Sequence, residues 1–71
     1  MRLKIHIEGM SCSNCVSHVK QALEKITGVS YVDVVLEDSH AYFMADESVT
    51  FESLKNAIES LGYELVGVTE N

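Results

Sequence analysis

Apolar and polar residues alternate one by one over the first eight positions of the chain. Leu3, Ile5 and Ile7 are separated by charged or polar residues. This period of two is typical of a strand with one face on a core and the other in water. The pattern predicts a first strand that ends before Gly9.

Two later segments repeat their apolar residues every three or four positions, which predicts two amphipathic helices. The first helix carries Val16, Val19, Ala22, Leu23 and Ile26. The second helix carries Phe51, Leu54, Ala57, Ile58 and Leu61.

Local signals predict where these helices begin and end. Ser13 and Thr50 are suited to cap the amino-terminal ends, because their hydroxyls can accept hydrogen bonds from backbone N–H groups of the first turn. Lys25 is expected in the last turn of the first helix, where its charge favours the helix dipole. Gly28 and Gly62 are expected to end the two helices in a left-handed conformation.

Three further strands are predicted from alternation. Their inward-facing positions are Val32, Val34 and Leu36 in the second strand, Ala41, Phe43 and Ala45 in the third, and Tyr63, Leu65 and Gly67 in the fourth. The polar residues 37–40 separate the second strand from the third and predict a turn, so these two strands should be antiparallel neighbours.

The predicted order is therefore β-α-β-β-α-β, with two similar halves. Two helices of about three turns can cover one face of a four-stranded antiparallel sheet. We expect an α+β fold, the ferredoxin-like sandwich, with both helices on one face. Residues 1–71 should form a single domain.

Composition narrows the classes of function. Five Lys and Arg against eleven Asp and Glu give a net charge of −6, which has the wrong sign for a nucleic-acid-binding surface. The longest apolar run, residues 41–45, is far shorter than the ~20 residues of a membrane span. The alternating start does not resemble a secretory signal. We therefore expect a cytoplasmic protein that neither binds nucleic acid nor inserts into a membrane.

The only two cysteines of the chain, Cys12 and Cys15, flank the predicted junction between the first strand and the first helix. At this spacing both thiols can face one ion, and the amino-terminal end of a helix favours thiolate over thiol. Two strong ligands do not complete the four-ligand shell of structural zinc, whereas soft Cu(I) tolerates few ligands. The junction predicts a Cu(I) site.

Other interpretations of these residues stay open at this point. The cysteine pair could be a redox dithiol, although thioredoxin-like enzymes use a cis-proline beside the pair and this chain has no proline. Met10 could be a third ligand, and His18 lies one helical turn beyond Cys15. His6 and His40 are expected on a strand and in a turn, exposed to solvent and without clustering.

The segment Gly9-Met10-Ser11-Cys12-Ser13-Asn14-Cys15 resembles the Gly-Met-x-Cys-x-x-Cys loop of the heavy-metal-associated domain family. Residues 28–29, 41–43 and 57–63 also fall where that family has such residues. The resemblance implies that Cys12 and Cys15 bind Cu(I), that Met10 packs beneath the loop without binding metal, and that Tyr63 lies beside the site.

Two smaller features of the loop bear on the same resemblance. Ser11 stands where the family often has Thr, and members that prefer divalent zinc or cadmium tend to have Asp there. The hydroxyl therefore favours copper. Together with Met10 and Tyr63, Ser11 and Ser13 are the residues that we expect around the two thiols.

The resemblance implies a copper metallochaperone that is not an enzyme and that passes Cu(I) to a partner dithiol by ligand exchange. The alternatives are the soluble amino-terminal domain of a copper-transporting P-type ATPase and a dithiol redox protein. The expected partner is such an ATPase or a copper chaperone. We expect a monomer, or a dimer bridged by metal.

Overall fold

The computed structural model describes residues 1–11 and 13–70, and its elements follow the predicted order. The elements are β1 (Arg2–Glu8), α1 (Ser13–Glu24), β2 (Val29–Val35), β3 (His40–Ala45), α2 (Phe51–Glu59) and β4 (Glu64–Glu70). The α+β, ferredoxin-like prediction is confirmed.

The four strands form one antiparallel sheet in the order β2-β3-β1-β4. β1 therefore lies inside the sheet and pairs on one side with β3 and on the other with β4. The predicted antiparallel hairpin of β2 and β3 is confirmed. None of the helices in the part of the chain described here is long and apolar enough to cross a membrane.

The core lies between the sheet and both helices. Its buried side chains form one cluster: Leu3, Ile5, Ile7, Val19, Leu23, Val32, Ala41, Phe43, Ala45, Leu54, Ile58 and Leu65. Because α1 and α2 contribute to the same cluster as the alternating residues of β1 and β3, both helices cover the same face of the sheet. The other face carries the polar positions of the strands.

The pairing of β1 with β4 changes register between His6 and Ile7. Such a bulge reverses the side-chain alternation of one strand relative to its partner. Leu65 is buried, yet Val68 also packs against the core and Val66 is 54% exposed. The uniform alternation predicted for the fourth strand is therefore wrong beyond Leu65.

The predicted ends of α1 need correction. The helix begins at Ser13, so Ser13 is its first residue rather than the cap, and the preceding position falls on Cys12, outside the described residues. The helix ends at Glu24, so Lys25 follows it instead of lying in its last turn. Gly28 has the expected positive φ, +95°, but lies at the turn into β2.

The ends of α2 follow the prediction more closely. Thr50 is the cap: its hydroxyl accepts a hydrogen bond from the backbone N–H of Ser53, and the Ser53 hydroxyl accepts one from the N–H of Thr50. Gly62 follows the helix with φ +92°. Two residues assigned to the apolar face differ, because Phe51 is 55% exposed and Leu61 lies beyond the helix at 37% exposed.

The turn between β2 and β3 is displaced by one residue from the prediction. It spans residues 36–39, so Leu36 leaves the strand and His40 becomes the first residue of β3. Ser39 adopts φ +56°, the left-handed conformation that lets the chain reverse there. His40 is therefore a strand residue, and it pairs with His6 of β1.

At the end of the sheet where β1 starts, several chain segments converge. The N–H of Ala45 donates to the carbonyl of Met1 (2.7 Å), and Leu3 pairs with Glu70. The N–H of Asp46 donates to the carbonyl of Gly28 (3.0 Å). The two connections that follow α1 and β3 are thus tied together beside both described ends of the chain.

Asp46 is itself held at this end by Ser48. The hydroxyl and the backbone N–H of Ser48 both donate to Oδ1 of Asp46, at 2.5 and 2.9 Å. These hydrogen bonds stabilise the carboxylate and hold the pKa of Asp46 below its usual value of 3.8. A Cβ on Gly28 would lie 2.3 Å from the same Oδ1.

Alanine at two glycines should separate backbone strain from steric overlap. Gly28 and Gly62 have nearly equal φ, but a Cβ on Gly62 would meet nothing within 4 Å. Gly62→Ala should lower the free energy of unfolding by about 1–2 kcal/mol through strain alone. Gly28→Ala should lower it further, because Asp46 must move away from Ser48.

Urea unfolding of the two variants measures this difference. Gly67→Ala is the matched control, since its Cβ also meets nothing within 4 Å and its φ is not positive. Equal destabilisation by Gly28→Ala and Gly62→Ala would show that the contact with Asp46 has no energetic weight.

Candidate metal centre

The cysteine loop connects the end of β1 with the start of α1. Cys15 is the third residue of α1 and is half-buried. It therefore lies in the first helical turn, as expected from the sequence. Cys12, the other predicted ligand, lies outside the described residues, so the pairing of the two thiols stays a prediction.

The first turn of α1 provides a positive electrostatic environment. Backbone N–H groups of this turn have no partner within the helix, and the aligned peptide dipoles place partial positive charge there. Within the described length of α1, no acidic residue lies in that turn. A thiolate at Cys15 would therefore be stabilised without competition from a carboxylate on the same turn.

Gly9 and Tyr63 meet where β1 and β4 end their pairing. Glu8 pairs with Glu64, so Gly9, which follows β1, and Tyr63, which precedes β4, are adjacent. Gly9 has φ +103°, and a Cβ there would lie 3.2 Å from Cδ1 of Tyr63. The half-buried Tyr63 ring thus packs against the backbone that leads into the cysteine loop.

The remaining residues predicted around the thiols differ in how far they are buried. Met10 is half-buried and packs against the core cluster, whereas Ser11 and Ser13 are exposed. Met10 therefore anchors the loop on the sheet-helix core, and the two serines face solvent. Their assigned roles toward a metal stay predictions.

Two of the three histidines differ from the sequence-based expectation. His18 is exposed on α1, as predicted for a helix-face residue. His6 and His40 were expected without clustering, and this is wrong, because their ring centroids lie 4.7 Å apart. The contact depends on the register of two strands that are distant in sequence, and nothing in the local pattern of either strand signals it.

The heavy-metal-associated domain family matches residues 4–64, which include the whole cysteine loop and Tyr63. The chain belongs to the heavy-metal-associated domain family. The match covers most of the chain and agrees with the resemblance drawn from the loop.

Individual relatives of this domain are known from sequence and structure. The chain is 45% identical over 62 residues to the copper chaperone CopZ of Staphylococcus epidermidis, covering 86% of this chain and 91% of the relative. A solved CopZ metallochaperone superposes with a TM-score of 0.86 at 40% identity, covering 93% and 100% of the two chains.

A domain from a transporter is also similar. The solved copper binding domain of HMA7, a P-type ATPase, superposes with a TM-score of 0.83 at 30% identity, covering 96% of this chain and 97% of that one. The heavy-metal-associated domain is therefore found both as a chaperone and as part of a larger protein.

Among residues 1–11 and 13–70, no three His, Cys, Asp or Glu side chains form a group that could hold a metal ion. In the described part of the Gly9–Cys15 segment, Met10 is half-buried, whereas Ser11, Ser13 and Asn14 are exposed. A partner molecule can therefore reach this surface of the loop directly.

Alanine at Gly9 should disturb the packing of Tyr63. The positive φ strains any L residue, and the new Cβ would press on Cδ1 of the ring. We expect a loss of about 1–2 kcal/mol in the free energy of unfolding. The NMR signals of the Tyr63 ring should shift, whereas those of Tyr42 should not.

A double-mutant cycle separates the two effects. With Tyr63→Ala already present, Gly9→Ala should cost less, because only the strain remains. Gly67→Ala serves as the control for adding a methyl group at an open site. An unchanged Tyr63 spectrum in Gly9→Ala would refute the proposed contact.

Proposed function

We propose that this chain is a cytoplasmic Cu(I) metallochaperone. The observation that supports it most strongly is the 45% identity to the copper chaperone CopZ over 91% of that protein's length. This chain therefore matches nearly the full length of a copper chaperone. Cys12 and Cys15 are the proposed metal ligands, and no catalysis on an organic substrate is part of this function.

The donor set fits the proposed cargo. Thiolate sulfur is a soft ligand and selects Cu(I) over Mg(II), Ca(II) and other hard cations. Cys15 lies in the first turn of α1, where the helix dipole lowers the energy of an anionic ligand. The negative net charge of −6 adds a general attraction for cations.

Delivery would proceed by exchange of thiolates on the cargo ion. A thiolate of the partner bonds to Cu(I), which passes through three-coordination, and the bond to Cys12 or Cys15 then breaks. The displaced thiolate takes a proton from solvent, and copper keeps its oxidation state. Exposed Ser11, Ser13 and Asn14 leave the approach to the loop open.

Two packed residues would keep the loop in place during exchange. Met10 holds one side of the loop on the core, and Tyr63 packs against Gly9 where the loop leaves β1. Neighbouring groups of this kind orient metal ligands and tune affinity. We infer that Met10 acts through packing and is not a ligand.

Substitution of either cysteine should remove tight Cu(I) binding. Loss of an outer partner of a ligand costs about 10–100-fold in affinity, and we expect the loss of a ligand itself to cost more than about 100-fold. Cys12→Ser and Cys15→Ser are compared with the wild type by anaerobic titration against a competing Cu(I) chelator. Zn(II) is titrated in parallel.

Met10→Leu is the matched control, because it removes a sulfur but keeps an apolar side chain of similar size. Its Cu(I) affinity should stay within about threefold of the wild type if Met10 only packs. A large loss would make Met10 a ligand. Tight binding retained by both cysteine variants would rule out the dithiol site.

The second candidate is a metal-binding domain of a copper-transporting P-type ATPase. The likeness to the HMA7 domain favours it, since that domain matches nearly the full length of this chain. Both candidates bind Cu(I) at the same loop, so binding alone does not separate them. The identity of the protein with which the chain exchanges copper does.

A transfer experiment tests the chaperone proposal. Cu(I)-loaded chain is mixed with the apo metal-binding domain of a copper-transporting ATPase, and copper in each protein is measured after separation. A chaperone should equilibrate its copper with that domain within the mixing time, and Cys15→Ser should abolish delivery. Exchange only with free copper chaperones, and none with the ATPase domain, would favour the ATPase-domain alternative.

A further inference from the structure

His6 of β1 and His40 of β3 face each other across the open side of the sheet. The two residues are direct partners in the antiparallel pairing of these strands. Residues directly opposite one another project to the same face. Since Ile5 and Ile7 are buried on the helix side, His6 and His40 lie on the face without helices.

Each imidazole has one nitrogen within hydrogen-bond distance of a neighbouring oxygen. Nε2 of His6 lies 3.1 Å from Oε1 of Glu8, and Nδ1 of His40 lies 2.5 Å from the backbone carbonyl of Asp38. A carboxylate and a carbonyl can only accept, so these two nitrogens carry the protons. In the neutral form of each ring, the lone pair then lies on Nδ1 of His6 and on Nε2 of His40.

This arrangement is the one that metal-binding histidines show in general. A histidine ligand almost always donates its other N–H to a carboxylate or a backbone carbonyl, which fixes its tautomer and orients its ring. Here one histidine has a carboxylate partner and the other a carbonyl partner. Both rings are thus held by the kind of neighbour that a ligand needs.

The distance between the rings suits a shared ion. Two imidazole nitrogens bound to one ion at about 2.0–2.1 Å lie about 3 Å apart, which places the ring centroids about 5 Å apart. The observed centroid separation is 4.7 Å, with the rings inclined by 55°. The separation of the two rings is therefore within the range of two imidazoles that share one cation.

The surroundings leave room for the remaining ligands. On its other side His6 pairs with Gly67, where an added Cβ would meet no atom within 4 Å. The side chains of His6 and Glu8 are 37% and 59% exposed. Lys4, the nearest cation along β1, lies over the ring of Tyr42 at 5.9 Å from its centroid.

We propose that His6 and His40 form a second metal site, which takes a borderline divalent cation such as Zn(II) or Cu(II) through two imidazole nitrogens. Water completes the coordination, and Glu8 orients His6. Imidazole suits these cations, whereas the soft Cu(I) prefers the thiolates of the loop. The site lies on the sheet face and is independent of the function proposed for the cysteine loop.

Zn(II) titration followed by NMR of the imidazole nitrogens tests this site in the intact chain. The ring signals of His6 and His40 should shift together with one binding curve, and those of His18 should stay constant. Because each histidine is observed separately, Zn(II) bound at the cysteines does not obscure the result.

Single substitutions then test the contribution of each ring. His6→Gln should weaken the response of His40 to Zn(II) at least about tenfold, and His40→Gln should do the same to His6. Glu8→Gln should weaken both about tenfold. His18→Gln, an exposed histidine on α1, is the control and should leave the curve unchanged.

Two outcomes would overturn the proposal. One is an unchanged spectrum of His6 and His40 at millimolar Zn(II). The other is a response of His40 that persists in His6→Gln with the same affinity, since this would indicate that each ring binds Zn(II) alone. Failure in either way leaves the Cu(I) affinity of the cysteine loop unaffected.

Discussion

The pairing of β1 on both of its edges is the interaction on which the other features depend. This strand is hydrogen-bonded to β3 and β4, and its buried Ile5 and Ile7 are fully enclosed by the core. Such a strand cannot shift by one residue without exchanging its apolar and polar faces. The loop that follows Glu8 therefore starts from a fixed point, although the loop itself is exposed at Ser11 and Ser13.

One alternation along β1 thus serves two surfaces. The odd-numbered residues build the core against α1 and α2, and through the core they fix the start of the helix that carries Cys15. The even-numbered residues project to the open face, where His6 meets His40. The imidazoles therefore lie on the uncovered face of the sheet, whereas Cys15 lies in the first turn of α1, a helix that covers the opposite face.

Sequence reasoning succeeded where a short segment determines its own structure. Thr50 and Gly62 mark the ends of α2 because capping and left-handed conformations depend on a few adjacent residues. It failed where the position of a side chain depends on the pairing of segments that are distant in sequence. The inward position of Val68 follows from a bulge opposite His6, and the contact of His6 with His40 follows from the register of β1 and β3. The resemblance to the family, rather than periodicity, pointed to Tyr63, whose place beside Gly9 also depends on strand pairing.

The convergence of Met1, Leu3 and Glu70 at one end of the sheet has a practical consequence. The strand direction of β1 places the cysteine loop at the other end, after Glu8. A tether joined at either described end, whether a neighbouring domain, a fluorophore or a solid support, would lead away from the loop. Tethering would then raise the local concentration of the loop near a second thiol site without covering it.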